Sequence, residues 1–361
     1  MSFLSKYGTL WGQTPRTTGR VFFVAAGSPY YIDGRAYDAS DSVNDGLSPE
    51  RALSTVARAL VLAAVSSGNP IDSGGSIATR ATTDTIILLP GTHTATALLR
   101  ITSAGVTISG LPNAVEMDGP YPGFTHTILT TSASEHLISP EASGITVANL
   151  TLRPITLFSA VVFRNNPTVD NLRFKNVVVD LHTPVAGTEM VGFDFAYRSD
   201  SSTISSNSYS TKAGNVAATA VVRATAYLEG VTILARDGMG RGIEQATASL
   251  TLRNVWFKHT SNGTWATPYH VATGSVQSYM EDCRFTTGGT LTTCVNAAGA
   301  SATNALTVRK VLFATTTASS PMCYAAANVV KASEAFIPDV KAASVGLGQS
   351  IMHSWVSVTT I

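Results

Sequence analysis

The sequence predicts an all-β chain coiled into a parallel β-helix, a solenoid that carries an N-terminal arm and a capping helix. Three observations predict this fold: a six-residue pattern that recurs in the second half, the residue types at its turn position, and a file of charges beside that turn. A fixed period of about 20–50 residues is typical of solenoids and repeat arrays.

The repeated pattern reads apolar, polar, turn residue, apolar, any residue, apolar. It occurs in six stretches: 147–152, 174–179, 228–233, 252–257, 280–285 and 308–313. Their turn residues are Asn149, Asn176, Gly230, Asn254, Asp282 and Lys310. The turn residues are separated by 27, 54, 24, 28 and 28 residues, and the double interval predicts one disguised or interrupted rung near residue 203.

The turn chemistry indicates which kind of solenoid this is. Gly, Asn and Asp enter the left-handed backbone region at least cost, so one such residue can bend a short strand into the next. The apolar neighbours are strand formers whose side chains alternate in and out. A rung of about 25 residues holds three short strands but not a strand with a crossover helix, which favours rungs stacked about 4.8 Å apart. Lys310 departs from the pattern, so the last rung matches it least.

A second column supports the stacking. The residues before the turns are Ala148, Lys175, Glu229, Arg253, Glu281 and Arg309. The last four alternate in sign, and in-register rungs would align them in one exposed ladder. Each ion pair would contribute only about 0–1 kcal/mol to stability, but like charges at these positions would repel along the whole column. The alternative explanation is chance alternation of four charges.

Composition limits the classes of function. The 361 residues are 44% hydrophobic and 13% charged, which suits a long apolar-lined tube that grows rung by rung. A net charge of +1 predicts no nucleic-acid partner. No apolar run approaches about 18 residues, and no signal-peptide core follows Met1–Lys6, so we expect no membrane association and synthesis in a cytoplasm. Three cysteines without metal-like spacing predict reduced thiols, no metal and no cofactor, with Cys283 buried on an inward column.

Residues 1–20 differ from the rest of the chain, because they combine aromatics with Gly, Pro and basic residues and show no period. They form either a frayed end or a cap over the first rung, or else an arm that docks on a partner. Aromatic and Arg side chains are favoured at such contacts. The candidate anchors are Tyr7, Leu10, Trp11, Arg16 and Arg20.

The β-helix is predicted over residues 21–320, starting with the buried strand 21–25. Its capping helix is predicted at about 48–65, with Ser48 as N-cap and Pro49 at the first helical position. Its apolar face would comprise Leu53, Val56, Ala57, Leu60 and Ala64. Ser-rich residues 194–215 are predicted to leave the rung as a lateral excursion, and 321–361 to form a C-terminal cap or subunit contact.

The first part of the chain resembles the start of right-handed parallel β-helices of the pectin-lyase-like superfamily. The resemblance lies in the order of four segments: residues 21–25, then Asn44-Asp45-Gly46-Leu47-Ser48-Pro49-Glu50-Arg51-Ala52, then the helix, then residues 84–93. The particular residues of these segments, together with the preceding Tyr7-Gly8-Thr9-Leu10-Trp11-Gly12-Gln13, resemble structural proteins of tailed bacteriophages. The first resemblance implies a right-handed coil and covers most of residues 1–320. The second rests on residues 7–50 and implies a virion protein, with trimers as in phage β-helices in general.

Many β-helix proteins cleave polysaccharides, which requires two carboxylates about 5–9.5 Å apart. The positions of Asp180, Asp194 and Asp237 within their rungs do not follow from the repeat, so any two of them could form such a carboxylate pair. The histidines, including His93, His126 and His259, are predicted in loops, at turns or on the surface, without a catalytic role. Exposed aromatic residues favour sugar binding, and the candidates are Trp256, in an outward column, and Trp265.

We therefore expect a non-enzymatic virion protein: a trimeric decoration or cement protein on the capsid surface that grips the major capsid protein through residues 1–20. The alternative is a tailspike or receptor-binding protein that binds or cleaves host surface polysaccharide. A carboxylate pair on one exposed face would separate the two, because only a glycan-cleaving protein requires it.

Overall fold

The computed structural model is a right-handed parallel β-helix, as predicted, in which the chain runs through three parallel sheets in turn. The structure describes residues 19–32, 34–66, 84–111, 127–133, 135–155, 158–163, 168–181, 190–197, 223–235, 240–245, 248–260, 264–265, 267–271, 278–287, 290–291, 294–297, 306–313, 323–325, 330–335 and 356–358. Each rung contributes one strand to each sheet.

Sheet 1 contains eleven strands, and all its neighbours are parallel except the last pair. In spatial order its strands are β1 (Val21–Val24), β4 (Thr85–Leu88), β7 (Thr107–Gly110), β10 (Thr146–Ala148), β13 (Thr168–Lys175), β16 (Arg223–Glu229), β19 (Ser249–Arg253), β23 (Ser278–Glu281), β27 (Leu306–Arg309), β30 (Val330–Ala335) and β31 (Val356–Val358).

Sheets 2 and 3 contain eight strands each. Sheet 2 comprises β5 (Gly91–Ala95), β8 (Thr127–Thr131), β11 (Thr151–Arg153), β14 (Val178–Leu181), β17 (Thr232–Ala235), β20 (Trp256–His259), β24 (Arg284–Thr287) and β28 (Leu312–Phe313). Sheet 3 comprises β6 (Leu99–Ile101), β9 (Ile138–Pro140), β12 (Ser159–Phe163), β15 (Met190–Tyr197), β18 (Gly240–Gln245), β22 (Tyr269–Val271), β26 (Val295–Ala297) and β29 (Cys323–Ala325). Two small pairs complete the strands: the hairpin β2 (Tyr30–Ile32) and β3 (Arg35–Tyr37), and β21 (Thr264–Trp265) with β25 (Thr290–Leu291).

The predicted turn column joins sheet 1 to sheet 2 and is confirmed at all six positions. Its members have φ between 49° and 63°, in the left-handed region. Neighbouring turns are linked: Asn149 Nδ2 donates to Ser109 Oγ at 3.1 Å, and Asn176 Nδ2 donates to Asn149 Oδ1 at 3.3 Å. The column of Asn side chains ends at Gly230. A Cβ atom at this position would lie only 2.7 Å from Asn176 Oδ1, so glycine fits best there.

The core is a stack of inward columns in register. One column of sheet 1 consists of Phe22, Ile86, Ile108, Val147, Phe174, Leu228, Leu252, Met280 and Val308, all at most 1% exposed. In sheet 2 the rings of Phe257 and Phe285 stack at 4.5 Å, a pair worth about 0.5–1.5 kcal/mol beyond its buried area. Cys283 lies on an inward column as predicted, and burial raises the pKa of its thiol to about 12.

A helix covers the N-terminal opening, but it begins later than predicted. Helix α1 spans Val56–Ser66, and Pro49–Arg51 form a separate 3-10 turn whose Ser48 makes no capping bond. Thr55 is the N-cap, since its Oγ1 accepts from Arg58 N at 3.2 Å. Helix α1 packs against β1, β4, β5 and β6, and its buried positions are Val56, Ala59 and Ala63, whereas Ala57 is exposed.

The hidden rung near residue 203 was a wrong prediction. Strand β13 pairs directly with β16, and β14 pairs directly with β17, so no additional rung is stacked between the rungs that turn at Asn176 and Gly230. One rung therefore carries the whole interval. Residues 198–222, which include most of the predicted excursion, lie outside the described residues.

The stacking also continues beyond residue 320, where the sequence period fades. Strand β29 extends sheet 3 beside β26, and β30 extends sheet 1 beside β27. The final strand, β31, pairs antiparallel with β30. The remaining residues of the predicted C-terminal cap are outside the described part of the chain.

Candidate functional site

The base of the N-terminal arm is fixed to the mouth of the β-helix by Arg20. Its backbone N–H donates to Asp84 Oδ1 at 2.8 Å, its guanidinium donates to the Leu62 carbonyl at 3.2 Å, and its Cζ lies 5.0 Å from the Phe22 ring centroid. Arg20, the last residue of the predicted arm, is therefore held beside α1. The other candidate anchors, Tyr7, Leu10, Trp11 and Arg16, lie outside the described residues, and partner contact by Arg20 remains a prediction.

The cap around this point, residues 30–66, is held together by polar contacts. The Tyr30 hydroxyl donates to the Pro49 carbonyl at 2.6 Å and accepts from Ala52 N at 3.1 Å. Asp41 Oδ1 accepts the backbone N–H groups of Ser54 and Thr55 at 2.8 and 3.0 Å. These carboxylate contacts satisfy the start of α1 and explain why the helix begins after Thr55.

This cap also exposes most of the surface apolar side chains. Among the described residues five large hydrophobic side chains are strongly exposed, and four of them belong to the cap: Tyr31 (69%), Val43 (75%), Leu47 (50%) and Val61 (44%). The fifth, Tyr227, lies on sheet 1. These four side chains share one segment of the chain, residues 30–66, and contiguous exposed apolar patches are typical of interaction sites.

The charge ladder lies on the outer face of sheet 1. Register places Lys175, Glu229, Arg253, Glu281 and Arg309 on successive strands. Lys175 Nζ lies 3.8 Å from Glu229, and Glu281 lies 3.4 Å from Arg253 and 3.3 Å from Arg309. Each of the three ladder cations thus lies within 4 Å of a glutamate, which suits a structural surface better than a catalytic one.

Sheet 3 carries a cluster of ionisable groups that the sequence reasoning missed. Glu244 is buried, and His270 lies beside it on the next strand. His270 Nδ1–H donates to the Glu244 carboxylate at 2.9–3.0 Å, and Arg241 Nη1 donates to the same carboxylate. Burial alone would raise the pKa of Glu244, but the hydrogen bond from His270 and the charge of Arg241 bring this pKa below its ordinary value.

The same cluster contains two carboxylates in register. Asp194 pairs with Glu244 across β15 and β18, so the two residues stand about 4.8 Å apart along the stack. Retaining glycosidases use carboxyl groups about 5–5.5 Å apart. However, Asp194 is 0% exposed and Glu244 is 4% exposed, so the pair does not form an accessible cleft. This arrangement can hold a proton or a charge but does not present two acids to a polymer.

A repeated local motif could have revealed this pair. Gly192-Phe193-Asp194 and Gly242-Ile243-Glu244 both read glycine, apolar, acid. Close packing requires the glycines, because a Cβ on Gly192 would lie 2.5 Å from Gly242 O and one on Gly242 would lie 2.8 Å from Pro268 O. The period was recognised from the turns between sheets 1 and 2, so it did not establish the phase of sheet 3.

Of the other proposed acids, Asp180 lies on a different sheet from Asp194. Asp180 lies on sheet 2, fully buried, and accepts from Arg153 Nε at 3.0 Å, while its Oδ1 has no hydrogen-bond partner. Asp237 is outside the described residues. No three His, Cys, Asp or Glu side chains within the described ranges converge to hold a metal ion, and no described helix is long and apolar enough to cross a membrane.

Two histidines lie in the core rather than on the surface, contrary to prediction. His93 occupies the inward column of sheet 2, and its Nε2–H donates to the Leu89 carbonyl at 2.8 Å. Burial lowers the pKa of His93, although this hydrogen bond opposes the shift. His259 is likewise buried in β20. His126 lies in a part of the chain that the structure does not describe.

The two tryptophan candidates have different environments. Trp265 is 1% exposed and packs beside Phe257, so its prediction as a sugar-binding residue was wrong. Trp256 lies half-buried on the outer face of sheet 2, as predicted. Its indole Nε1–H donates to Thr286 Oγ1 at 2.7 Å. Only Trp256 is therefore available to a ligand.

No protein-family model and no curated protein sequence matches the chain. Two solved structures of the pectin methylesterase from Aspergillus niger, in different states of deglycosylation, are 13% identical to the chain. They match 94–95% of this chain and 93% of their own, with a TM-score of 0.46. ORF18 of Geobacillus virus E2 is 9% identical over 77% of this chain and 56% of its own, with a TM-score of 0.27. Similarities at this level carry no functional argument.

Proposed function

We propose that the chain is a non-enzymatic structural protein of a tailed-phage virion that decorates the capsid. Residues 1–20 and the cap would bind the major capsid protein, and the β-helix would stand outward, as a trimer. The observation that supports this proposal best is the concentration of exposed apolar side chains in the cap, beside the point where Arg20 anchors the arm.

The alternative, a tail protein that cleaves host polysaccharide, is less well supported by the site. Cleavage requires two accessible carboxylates, whereas the in-register acids Asp194 and Glu244 are buried and Glu244 is bonded to His270 and Arg241. The exposed glutamates of sheet 1 form ion pairs with the ladder cations. We therefore favour a binding role over glycan cleavage.

Cosedimentation with capsids that lack this protein would test the docking proposal. Deletion of residues 1–18 and the substitution Leu47→Asp should each lower the capsid affinity at least tenfold, because they remove an apolar contact. Tyr227→Asp is the matched control, since Tyr227 is comparably exposed but lies outside the cap. It should keep the wild-type affinity.

Full binding by both the deletion and Leu47→Asp would overturn the docking proposal. Circular dichroism of each variant would verify that the β-helix is intact. Sedimentation velocity would test the trimer separately, because a monomer in solution and on the capsid would exclude trimerisation without affecting the docking result.

A further inference from the structure

The outer face of sheet 1 is covered at its first strands and open further along the stack. In β1 and β4 the outward side chains Phe23 and Ile87 are buried in a small second core with Ala52. From β13 to β27 the outward side chains reach solvent, and we call this part the ladder face. Its two outward columns consist of Arg173, Tyr227, Thr251, Tyr279 and Thr307, and of Lys175, Glu229, Arg253, Glu281 and Arg309.

The charged column of the ladder face presents its charges to solvent in spite of its internal ion pairs. The N···O distances along it are 3.3–3.8 Å, yet the side chains of Lys175, Glu229 and Arg253 are each more than half exposed. A carboxylate can accept several hydrogen bonds, so an exposed glutamate can accept from a second cation as well. The column therefore offers a pattern of alternating charge that another charged surface can meet.

An identical column fits this pattern when it runs in the opposite direction. Two copies can meet face to face about a two-fold axis that runs along the strands, between β16 and β19. This axis places Glu229 opposite Arg253 of the second copy, and Lys175 opposite Glu281 of the second copy. All facing charges on these four strands are then of opposite sign. The ladder face is thus complementary in charge to itself.

Other symmetries do not give this match. With a two-fold axis parallel to the stack, equivalent rungs of both copies lie at the same height. Each ladder charge then faces its own equivalent or, when the copies are shifted sideways, the uncharged middle of the neighbouring column: Tyr227, Thr251 and Tyr279. A three-fold axis parallel to the stack has the same effect. The trimer proposed above would therefore have to form through a different face.

The uncharged column fits the same antiparallel arrangement. The two-fold axis places Tyr227 opposite Thr251, and Arg173 opposite Tyr279, of the second copy. Tyr227 is the one large apolar side chain outside the cap that is strongly exposed in the described part of the chain, and the contact would bury it. The Arg173 Cζ already lies 5.9 Å from the Tyr227 ring centroid, so its guanidinium would lie between two tyrosine rings, where cation–π attraction is favourable.

We infer that the ladder face is a contact between two copies of this chain, which pack face to face with antiparallel stacks. Five strands about 4.8 Å apart and five residues of about 3.3 Å each give a face of about 24 by 16 Å, or roughly 400 Å² per copy. This area is about half of a standard protein–protein interface, so the association is weak and reversible. The inference goes beyond capsid decoration and does not rest on it.

Sedimentation equilibrium of the full chain over a range of concentrations would test the inference. The weight-average mass of the wild type should rise with concentration at about 20 mM NaCl and fall at about 500 mM, because salt screens exposed charges. Glu229→Arg and Arg253→Glu should each raise the concentration of half-association at least tenfold. Arg284→Glu is the matched control, since it reverses an exposed arginine on sheet 2, and its association should stay within twofold of the wild type.

A mixture of the two charge variants separates contacts between copies from ion pairs within one copy. In the antiparallel pair, position 229 of one copy faces position 253 of the other. An equimolar mixture of Glu229→Arg and Arg253→Glu should therefore associate within about threefold of the wild type, although neither variant does so alone. Tyr227→Asp should weaken the association at least tenfold while leaving capsid binding unchanged. Circular dichroism would verify the fold of each variant.

Crosslinking would test the direction of packing. The two-fold axis places Thr146, in β10, opposite Thr307 of the second copy. A mixture of Thr146→Cys and Thr307→Cys should be joined by a bismaleimide linker of about 10 Å, the usual spacing of packed sheets. Each variant alone should not be joined, because its two engineered thiols would lie about 24 Å apart along the stack. The wild-type chain controls for reaction of the native cysteines.

Any one of three results would overturn the inference: no salt-dependent rise in mass at the highest soluble concentration, wild-type association by both charge variants, or crosslinks within each cysteine variant alone. The last result would indicate parallel stacks. Loss of association in Leu47→Asp without any effect of Glu229→Arg would also overturn it, since the copies would then meet through the cap. Failure of capsid docking would change none of these results, so the two proposals can fail independently.

Discussion

Six residues determine where the chain turns from sheet 1 to sheet 2, and five of them are not glycine. Asn149, Asn176, Asn254 and Asp282 tolerate their positive φ because short polar side chains bond locally, as Asn149 and Asn176 do with their neighbours. Lys310 has φ 49° and no such chemistry. The fold therefore imposes the left-handed turn on a residue that does not favour it.

Replacing Lys310 with glycine should stabilise the protein. Glycine removes the left-handed strain of about 1–2 kcal/mol but increases the entropy of the unfolded chain, so we expect a net gain of about 1 kcal/mol. Urea denaturation would measure it. Arg309→Gly, one residue earlier in β27, is the control and should lower the free energy of unfolding, because a strand position gains nothing from glycine. A loss of stability in both variants would contradict the role of φ at Lys310.

The buried Glu244 should make stability depend on pH. Its pKa is lowered in the folded state, so it stabilises the fold above the pKa of the unfolded chain, and this contribution is lost as pH falls through the folded pKa. Glu244→Gln should lower the free energy of unfolding by about 2 kcal/mol at pH 7, because Arg241 and His270 lose a charged acceptor.

Denaturant unfolding from pH 7 to pH 3 would measure this effect. The difference between Glu244→Gln and the wild type should shrink as the solution becomes more acidic than the ordinary glutamate range. Glu229→Gln, in the exposed ladder, is the control and should change stability by less than about 1 kcal/mol. A constant difference across the whole range would show that the substitution acts through packing rather than through charge.

At the scale of elements, α1 illustrates how tertiary contacts can move a boundary. Ser48-Pro49-Glu50 is a good local helix start, yet it forms only a 3-10 turn. Asp41 reaches across from the preceding loop and bonds the backbone of Ser54 and Thr55 instead. Contacts between Asp41 and residues thirteen and fourteen positions later therefore determine where the helix begins. A prediction of the N-cap from neighbouring residues alone does not take such contacts into account.

Two serine and threonine substitutions would distinguish these starts. Thr55→Ala should lower the free energy of unfolding by about 1 kcal/mol, because the Arg58 N–H loses its cap. Ser48→Ala should have almost no effect, since its side chain makes no capping bond. Thermal denaturation followed by circular dichroism would compare them. The reverse order of stabilities would place the helix start at Ser48.

Whether an element could be predicted depended on whether its residues repeat. The inward columns and the turns of sheets 1 and 2 recur with the period, so Val147, Asn149 and Leu152 defined their equivalents in later rungs. The period does not include the strands of sheet 3, and the pairing of Asp194 with Glu244 therefore appears only in the structure. The doubled interval was misinterpreted because a period alone does not distinguish a missing rung from a long connection.

At the scale of the whole molecule, the features of interest lie at different places along one axis. Arg20 and the exposed apolar side chains of residues 30–66 lie at the capped end. The ladder of sheet 1 and the buried acids of sheet 3 lie on separate faces. The β-helix thus keeps the cap, the ladder and the buried acids apart from one another.

The reversed direction of β31 has a consequence for assembly. Every strand before it in sheet 1 runs parallel to its neighbours, so an open edge at β30 would offer a template on which another copy could continue the coil. The antiparallel strand occupies that edge in the opposite sense, while α1 covers the other end. Within the described residues, the parallel ladder of sheet 1 is therefore closed at both ends, and the number of rungs in the chain sets its length.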